Sequence, residues 1–339
     1  MADTTTTPPT DGLRRIVLTI VGVAAILVVL LIAFALPSAR SAPHDVPVGV
    51  VGTPEAAARL QLQAHGFELS MYPDEAAART AILDRDEYGA VVLTQPGRVT
   101  TLVATAASPS VATLVERLGQ ETAEASGSTA TVTDVRAFPS DDPHGAGLAA
   151  GALPMALGGW IGALVIMMVL RTPGHRLVAA LGLAVVGGLA LALTLRYVIG
   201  TIDGHTLTTS LGAMLGIGAT ALAVLGLRTT LGGIGLGLAA VALIVLGNPL
   251  SGLTSAPELL PDPWGALGQL LPPGATGDLL RGLAFFDGHG TARPIVVLAC
   301  WLVGGAALYA YGVRRAAPRA RHEAGPKNVE EEIEEALEV

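Results

Sequence analysis

The distribution of hydrophobic residues constrains this chain most. One apolar stretch covers residues 16–36, a polar stretch follows over 37–151, and a cluster of apolar stretches then extends to residue 313. Of the 339 residues, 51% are hydrophobic and 14% are charged, which is more apolar than a soluble domain of this size requires. The pattern predicts an α-helical polytopic membrane protein with an external α/β domain inserted between transmembrane helices 1 and 2.

Six apolar segments approach or exceed the roughly 17 to 20 residues that cross a hydrocarbon core of about 30 Å. They predict six transmembrane helices, at residues 16–36, 152–170, 177–195, 207–227, 231–247 and 294–313. A cleaved signal peptide is the alternative for the first segment. Its apolar run exceeds the roughly 7 to 15 residues typical of a signal peptide, which favours an uncleaved anchor. Residues 1–15 are rich in Thr and Pro and are predicted to be a disordered cytoplasmic N-terminus.

The positions of arginine predict the orientation, because Lys and Arg in short loops stay on the cytoplasmic side. Arginines precede the first segment, lie between the second and third and between the fourth and fifth, and follow the last: Arg14, Arg15, Arg171, Arg176, Arg228, Arg314, Arg315, Arg319 and Arg321. Both termini are therefore predicted to be cytoplasmic, and residues 37–151 and 248–293 external. The tail, 314–339, is basic and then acidic, and its end is either a solvated segment or an amphipathic partner helix.

The composition favours a bacterial source with a GC-rich genome, since Lys327 is the only lysine and Ala and Gly are abundant. Together with the transmembrane segments, this predicts a multi-pass protein of a bacterial plasma membrane that contacts membrane lipids.

The external domain alternates short β-branched runs with Ala-rich runs. Strands are predicted at 46–52, 67–72, 88–94, 99–107 and 131–138, and helices follow Thr53–Pro54, Asp74 and Ser108–Pro109, which have the residue types of helix N-caps and first turns. The order is βαβαββαβ, which is typical of a compact α/β module.

The sequence contains no motif that assembles a catalytic, cofactor or metal site. The turn after the first strand lacks the G-x-G-x-x-G spacing of a dinucleotide site, and Asp141, Asp142 and His144 are either a cation site or, as we favour, a hydrophilic linker. Carboxylates outnumber arginines about two to one in the domain, which argues against nucleic-acid binding. We predict neither enzymatic activity nor a cofactor.

Within the apolar segments, ionisable residues are nearly absent, which disfavours an ion-coupled relay. Glycines instead recur at steps of four, a spacing that lets transmembrane helices approach closely. The predicted packing glycines are Gly158, Gly162, Gly212, Gly216, Gly233 and Gly237.

The segment 248–293 is rich in proline and predicts two short helices, one opened by Asp262 and Pro263 and the other carrying Leu279, Leu280, Leu283 and Phe286. Each is too short to cross a bilayer. We expect them to lie on the outer leaflet or to dip into it as a re-entrant element.

This organisation, with its "P-L-S-G…L-P-x-P-W…L-P-P-G…L-R" pattern, resembles type-2 ATP-binding-cassette exporter permeases, and most closely their phage-infection-protein branch. The resemblance implies an external re-entrant element at the exit of a translocation path, formed by Pro249, Ser251, Gly252, Pro261, Trp264, Pro272, Pro273 and Arg281. The alternative is that these prolines only shape a connector. The chain has no G-x-x-x-x-G-K-[ST] loop, so an exporter of this kind requires a separate ATPase subunit. Its short cytoplasmic loop at 171–176 departs from the coupling helix of the family.

Two functions remain open from the sequence. The first is a permease-like subunit, forming a homodimer, that exports a lipid-like or amphipathic substrate with energy from the partner ATPase. The second is a non-transporting membrane scaffold or receptor whose external domain binds a cell-envelope component, a phage or a secreted protein.

Overall fold

The computed structural model describes residues 9–39, 42–253 and 255–323. Within them the strands are β1 Val46–Val51, β2 Phe67–Tyr72, β3 Gly89–Val92, β4 Arg98–Val103 and β5 Thr129–Asp134. The helices are α1 Pro9–Ala39, α2 Pro54–Gln63, α3 Glu75–Asp84, α4 Pro109–Ala125, α5 Ala146–Val169, α6 Pro173–Thr194, α7 Thr206–Leu231, α8 Gly233–Ala240, α9 Trp264–Gln269, α10 Pro272–Phe285 and α11 Ala292–Glu323. Two π-helices extend α6 and α8, at Leu195–Ile199 and Val241–Leu246.

The predicted order of strands and helices between residues 46 and 134 is confirmed. Each of its three helices begins where the sequence offers a side-chain cap. Thr53 accepts a hydrogen bond from the backbone N–H of Ala56 at 3.3 Å, and Asp74 accepts one from Ala77 at 2.8 Å. Ser108 caps α4 in the same way. These caps satisfy N–H groups that the first turn of a helix leaves without a partner.

The five strands form one mixed sheet in the order β2-β1-β3-β4-β5. Strand β1 is parallel to β2 and β3, β3 is antiparallel to β4, and β4 is parallel to β5. Helices α2 and α4 pack on one face, where Leu60 and Leu118 are buried with Val50, Val91 and Val99. Helix α3 covers the opposite face with Ala78 and Ile82. The domain is therefore a three-layer α/β/α unit.

The strand directions bring four connections together at one end of the sheet, which we call the basal end: residues 44–47, 84–88, 104–107 and 135–138. There β1 and β3 begin and β4 and β5 end. Buried residues of the basal end share one apolar cluster with the ends of α5, α7 and α10. The domain therefore packs against the helical part of the chain through the basal end of its sheet.

Helix α7 is the centre of the helical part, with 78% of its apolar window buried. It packs against α5, α6, α10 and α11. The closest approach is to α11, where a Cβ atom at Gly305 would lie 2.5 Å from the carbonyl carbon of Leu222. Gly226 of α7 faces the carbonyl oxygen of Gly305 in the same contact. Glycine is required at this crossing because the two backbones touch.

Among the residues that the structure describes, four helices are long and apolar enough to cross a membrane, at Gly12–Val29, Pro173–Ile199, Thr206–Leu231 and Ala292–Ala316. The apolar parts at Leu157–Val169 and Gly233–Leu246 are shorter and lie where the second and fifth spans were predicted. Many large apolar side chains on α1, α5, α6 and α11 are exposed, as expected of surfaces that contact lipid.

The ends of the chain differ in part from the prediction. Helix α1 begins at Pro9, so residues 9–15 are helical rather than disordered. Pro is compatible with the first turn of a helix, where its missing N–H has no partner to lose. Helix α11 extends to Glu323, ten residues beyond the predicted end of the last span. Residues 1–8 and the acidic end of the tail, 324–339, lie outside the described residues.

Candidate functional site

The proline-rich segment lies between the α/β domain and the helical core. It contains a 3₁₀ turn at Pro257–Leu259 and the two short helices predicted from the sequence, α9 and α10. Helix α10 is buried along most of its length against α7 and α11. The indole N–H of Trp301 in α11 donates to the carbonyl oxygen of Leu270 at 2.8 Å. The segment is therefore anchored in the helical core.

Half of the eight residues predicted for this segment are buried in the structure. Ser251, Gly252, Pro272 and Pro273 are buried, and the side-chain amide of Gln269 donates to the carbonyl oxygen of Ser251 at 2.9 Å. Pro249, Pro261 and Arg281 are half-buried, whereas Trp264 is 45% exposed. Gly252 has φ +68°, a backbone conformation that glycine adopts without the strain of a side chain.

The basal end of the α/β domain contacts α10 through an ion pair and an aromatic cluster. Arg85 Nη2 lies 2.6 Å from Asp278 Oδ1, and its guanidinium stacks 5.5 Å above the ring of Phe286. The ring of Phe286 is completely buried, and Phe138 meets Phe285 edge to face at 5.4 Å. A charged hydrogen bond shielded by aromatic rings is stronger than one in water. This contact holds the domain on the helical core.

Further ion pairs surround that contact. Asp287 accepts from Arg136 at 2.6 Å and lies 3.1 Å from Nε2 of His205 in the loop before α7. His289 lies 2.9 Å from Asp84 at the end of α3. The short loop after α10 therefore connects the domain and the loop before α7.

A cavity of about 440 Å³ lies beside this contact, between the basal end and the proline-rich segment. Its volume is within the usual range of small-molecule pockets. The domain contributes Asp45, Arg85, Asp86, Glu87 and Tyr88 to its wall. The segment contributes, among others, Ser251, Gly252, Glu258, Asp262, Gln269, Asp278, Arg281 and Arg293. Three of the predicted residues of the re-entrant element thus line a pocket that faces the α/β domain.

Arg281 and Glu258 are half-buried charged side chains of this wall, and neither has an ion-pair partner among the described residues. Arg281 donates to the carbonyl oxygen of Leu253 at 3.1 Å, and no carboxylate oxygen of the described chain lies within 4 Å of its guanidinium. Burial lowers the pKa of Arg281. Glu258 accepts a hydrogen bond from the hydroxyl of Tyr88 at 2.8 Å. Burial, and next the charge of Glu258, raise the pKa of Tyr88, so the hydroxyl stays protonated and can donate.

Glu87 is a third unusual group of the wall. It is 5% exposed, its Oε1 accepts from the hydroxyl of Tyr72 at 3.0 Å, and its Oε2 has no hydrogen-bond partner among the described residues. Burial raises the pKa of Glu87, against the opposing hydrogen bonds of Ser70 and Tyr72. Burial likewise raises the pKa of Tyr72, to about 12. Burial of a carboxyl group that has an unpaired oxygen disfavours its charged form.

The predicted packing glycines separate into two groups. A Cβ atom would lie 2.7 Å from Leu283 at Gly212 and 2.5 Å from Thr276 at Gly216, and at Gly162 it would overlap Leu183. At Gly158, Gly233 and Gly237 it would meet no atom of the described chain within 4 Å. Thus Gly212 and Gly216 of α7 provide the groove in which α10 lies.

The linker residue Asp142 caps the start of helix α5. Its two carboxylate oxygens accept from the backbone N–H groups of Ala146 and Gly147, each at 2.8 Å, and Oδ2 also accepts from the hydroxyl of Thr201 at 2.8 Å. It therefore stabilises the first turn of α5, where a negative charge is favourable. Within the described ranges, no group of three or more His, Cys, Asp or Glu residues is arranged to hold a metal ion.

Sequence reasoning missed the partners that come from the domain. Arg85 and Asp278 are 193 positions apart, and Tyr88 and Glu258 are 170 apart. A local signal at Arg85 was its place after the last turn of α3, where it adopts φ +67°. The loop Asp86–Tyr88 also combines two acids with an aromatic residue. Neither signal identifies a partner.

Comparisons of the chain with protein-family models, with curated proteins and with solved structures find no match. The resemblance to exporter permeases therefore remains a proposal.

Proposed function

We propose that this chain is a permease-like membrane subunit that exports a lipid-like or amphipathic substrate and is energised by a separate ATPase. In this arrangement it has six transmembrane helices, with the α/β domain and the proline-rich segment outside and both termini in the cytoplasm of a bacterial cell. Its active form is a homodimer. The observation that carries the proposal is the docking of the domain on a segment that is itself buried against α7.

That docking supports transport because it provides a continuous mechanical connection. Gly212 and Gly216 hold α10 against the central helix, and Asp278 in the middle of α10 and Phe286 directly after it hold the α/β domain. A shift of α7 relative to its neighbours therefore moves α10 and the domain with it. Packed elements transmit such displacements because their interiors are close-packed.

The composition of the helical core supports a lipid-like substrate. The described part of α7 carries one ionisable residue, Arg228, and it lies near the cytoplasmic end of the helix in the proposed orientation. An aqueous solute would require polar groups along its path. An amphipathic substrate instead moves with its apolar part in lipid, along the outer faces of α5, α6 and α11 or between two copies of the chain.

A second function, that of a receptor or scaffold, is favoured by one observation, the cavity at the basal end. Its wall combines charged side chains of the external domain with those of the proline-rich segment. A receptor requires such a pocket and needs no ATPase.

Purification of the tagged full chain from its native membrane, followed by quantitative mass spectrometry, tests the proposal. We expect a P-loop ATPase to co-purify in stoichiometric amount. If its recovery equals that from a membrane that lacks the tag, the permease function is refuted. Recovery of envelope proteins in its place would favour the receptor.

A variant separates transport from assembly. Trp264 is 45% exposed on α9, so Trp264→Ala should reduce export without loss of the ATPase. The measurement is the lipid composition of the cell envelope in cells that carry each form of the chain. Leu62→Ala, at a residue that is 77% exposed on α2, is the control and should match the unmodified chain. Equal envelope composition for both variants contradicts a role of α9 in export.

A further inference from the structure

We propose that the cavity at the basal end binds a small zwitterion, such as a free amino acid or a dipeptide, with its carboxylate on Arg281 and its ammonium group on Glu258. This inference goes beyond transport, because it assigns a soluble ligand to the external face of the chain whether or not an ATPase is bound.

The cavity contains a half-buried cation, Arg281, and a half-buried anion, Glu258, neither of which forms an ion pair among the described residues. Of the other inner-wall groups, Arg85 and Asp278 are paired at 2.6 Å, and burial raises the pKa of Glu87, which favours its neutral form. Arg281 and Glu258 influence each other electrostatically, but no nitrogen of one lies within 4 Å of an oxygen of the other. A half-buried charge without a partner is unfavourable, so each group gains from a ligand of opposite charge.

The wall of the cavity also offers a ligand free hydrogen-bond donors and acceptors. One guanidinium nitrogen of Arg281 donates to Leu253, which leaves its other N–H groups to bind a carboxylate. Glu258 uses Oε2 to accept from Tyr88, which leaves Oε1 for an ammonium group. Gln269 is 8% exposed, and its amide nitrogen is bound to Ser251. Gln269 lines the same cavity, and its amide oxygen has no hydrogen-bond partner in the described part of the chain.

The charges at the rim of the cavity determine which charge the ligand can carry. The rim carries three exposed carboxylates, Asp45, Asp86 and Asp262, and one exposed arginine, Arg293. This excess of negative charge opposes a phosphate or a dicarboxylate. A ligand with an ammonium group is attracted to it. A simple cation, however, would leave Arg281 unpaired. A zwitterion satisfies both the rim and the inner wall.

The cavity is of suitable size for such a ligand. Its volume of about 440 Å³ exceeds the volume of one amino acid and is sufficient for a dipeptide with ordered water. Both residues that would contact the ligand belong to the proline-rich segment, and Glu258 also accepts a hydrogen bond from Tyr88 of the domain.

Calorimetric titration of the purified full chain in lipid nanodiscs tests the proposal. The probes are L-alanine, L-alanyl-L-alanine and γ-aminobutyrate, which differ in the distance between their charges. The methyl ester and the N-acetyl form of alanyl-alanine, each with one charge removed, are the comparison ligands. We expect at least one zwitterion to bind, and the dipeptide to bind about tenfold or more tightly than either capped form, since a charged hydrogen bond contributes about 1.5–3 kcal/mol. If no zwitterion binds at 10 mM, the proposal is refuted.

Two variants test the assigned roles. Glu258→Gln keeps an oxygen for the hydroxyl of Tyr88 but removes the charge, so it should bind the N-acetyl dipeptide and the zwitterion within about twofold of each other. Arg281→Gln should abolish the preference for a free carboxylate in the same way. Because each variant must still bind one capped form, unfolding cannot mimic the result.

Glu116→Gln is the matched control, because it makes the same change on α4 at a residue that does not line the cavity. It should retain the full preference for the zwitterion. An unchanged preference in Glu258→Gln would assign the ammonium contact to another group and overturn the proposal. The ATPase experiment is independent of these titrations, so either idea can fail alone.

Discussion

The ion pair between Arg85 and Asp278 should hold the α/β domain on the helical core, and its coupling energy can be estimated from its burial. The two side chains are 13% and 27% exposed, and their charged atoms are 2.6 Å apart. Exposed pairs contribute about 0.2–1 kcal/mol, whereas loss of one partner of a fully buried pair costs about 3–5 kcal/mol. We therefore expect a coupling energy of about 2 kcal/mol, intermediate between these limits.

A double-mutant cycle of Arg85→Gln and Asp278→Asn measures this energy by hydrogen exchange of the amides in α3 and α10. Each single variant should accelerate exchange about 30-fold, the factor that corresponds to about 2 kcal/mol, and the double variant should add little. The residue at position 85 has φ +67°, and the strain of this backbone conformation is common to all four proteins, so it cancels in the cycle.

A second ion pair of the domain is the control. Arg79 and Glu75 lie 3.1 Å apart on α3 and are 39% and 42% exposed. As an i,i+4 surface pair it should contribute about 0.3–0.5 kcal/mol. If the coupling of Arg85 and Asp278 is no larger than that of this surface pair, the ion pair does not hold the domain.

Three further predictions follow from burial and close contact. Burial raises the pKa of Glu87, so the folded protein loses stability as pH rises from the pKa of the unfolded state, about 4.3, through the raised pKa of the folded state. Glu87→Gln should therefore raise the Tm at pH 7.5 and have less effect at pH 4, with a difference in unfolding free energy of about 1.4 kcal/mol per pKa unit. An equal shift of the Tm at both pH values would contradict this. Phe286→Ala should lower the free energy of unfolding by about 3–5 kcal/mol in denaturant titrations, while Leu62→Ala changes it by less than about 0.5 kcal/mol. Gly305→Val should separate α11 from α7 and lower the Tm in detergent, whereas Gly304→Val, which meets no atom of the described chain within 4 Å, should not.

The sequence was sufficient to predict the elements of the α/β domain because their signals are local. Thr53, Asp74 and Ser108 each stand one residue before the helix that they cap. The two short helices of the proline-rich segment are equally local, since prolines open both. Helix packing was less predictable: spacing alone does not show which face of a helix meets a neighbour, so Gly226 and Gly305 were missed and Gly158 was included.

The cavity could be predicted only in part. Ser251, Gly252 and Arg281 were identified on the segment, but their counterparts Arg85, Glu87 and Tyr88 were not. Their contacts join positions 170 and 193 residues apart, and a single sequence contains no signal for such pairs. Burial of Glu87 was equally invisible, because a carboxylate in a short loop is usually exposed.

The packing of the domain against α10 also has a consequence for protein synthesis, because the domain is made before the helix that covers its basal end. Strands β1 to β5 leave the ribosome well before Leu280, Phe285 and Phe286, which complete the apolar cluster at the basal end. At about 5–20 residues per second, the roughly 150 residues in between take on the order of 8–30 s. For that interval Ala106 and Phe138 lack the neighbours that cover them in the finished protein. One end of the nascent domain therefore stays uncovered until the second half of its own chain has been synthesised.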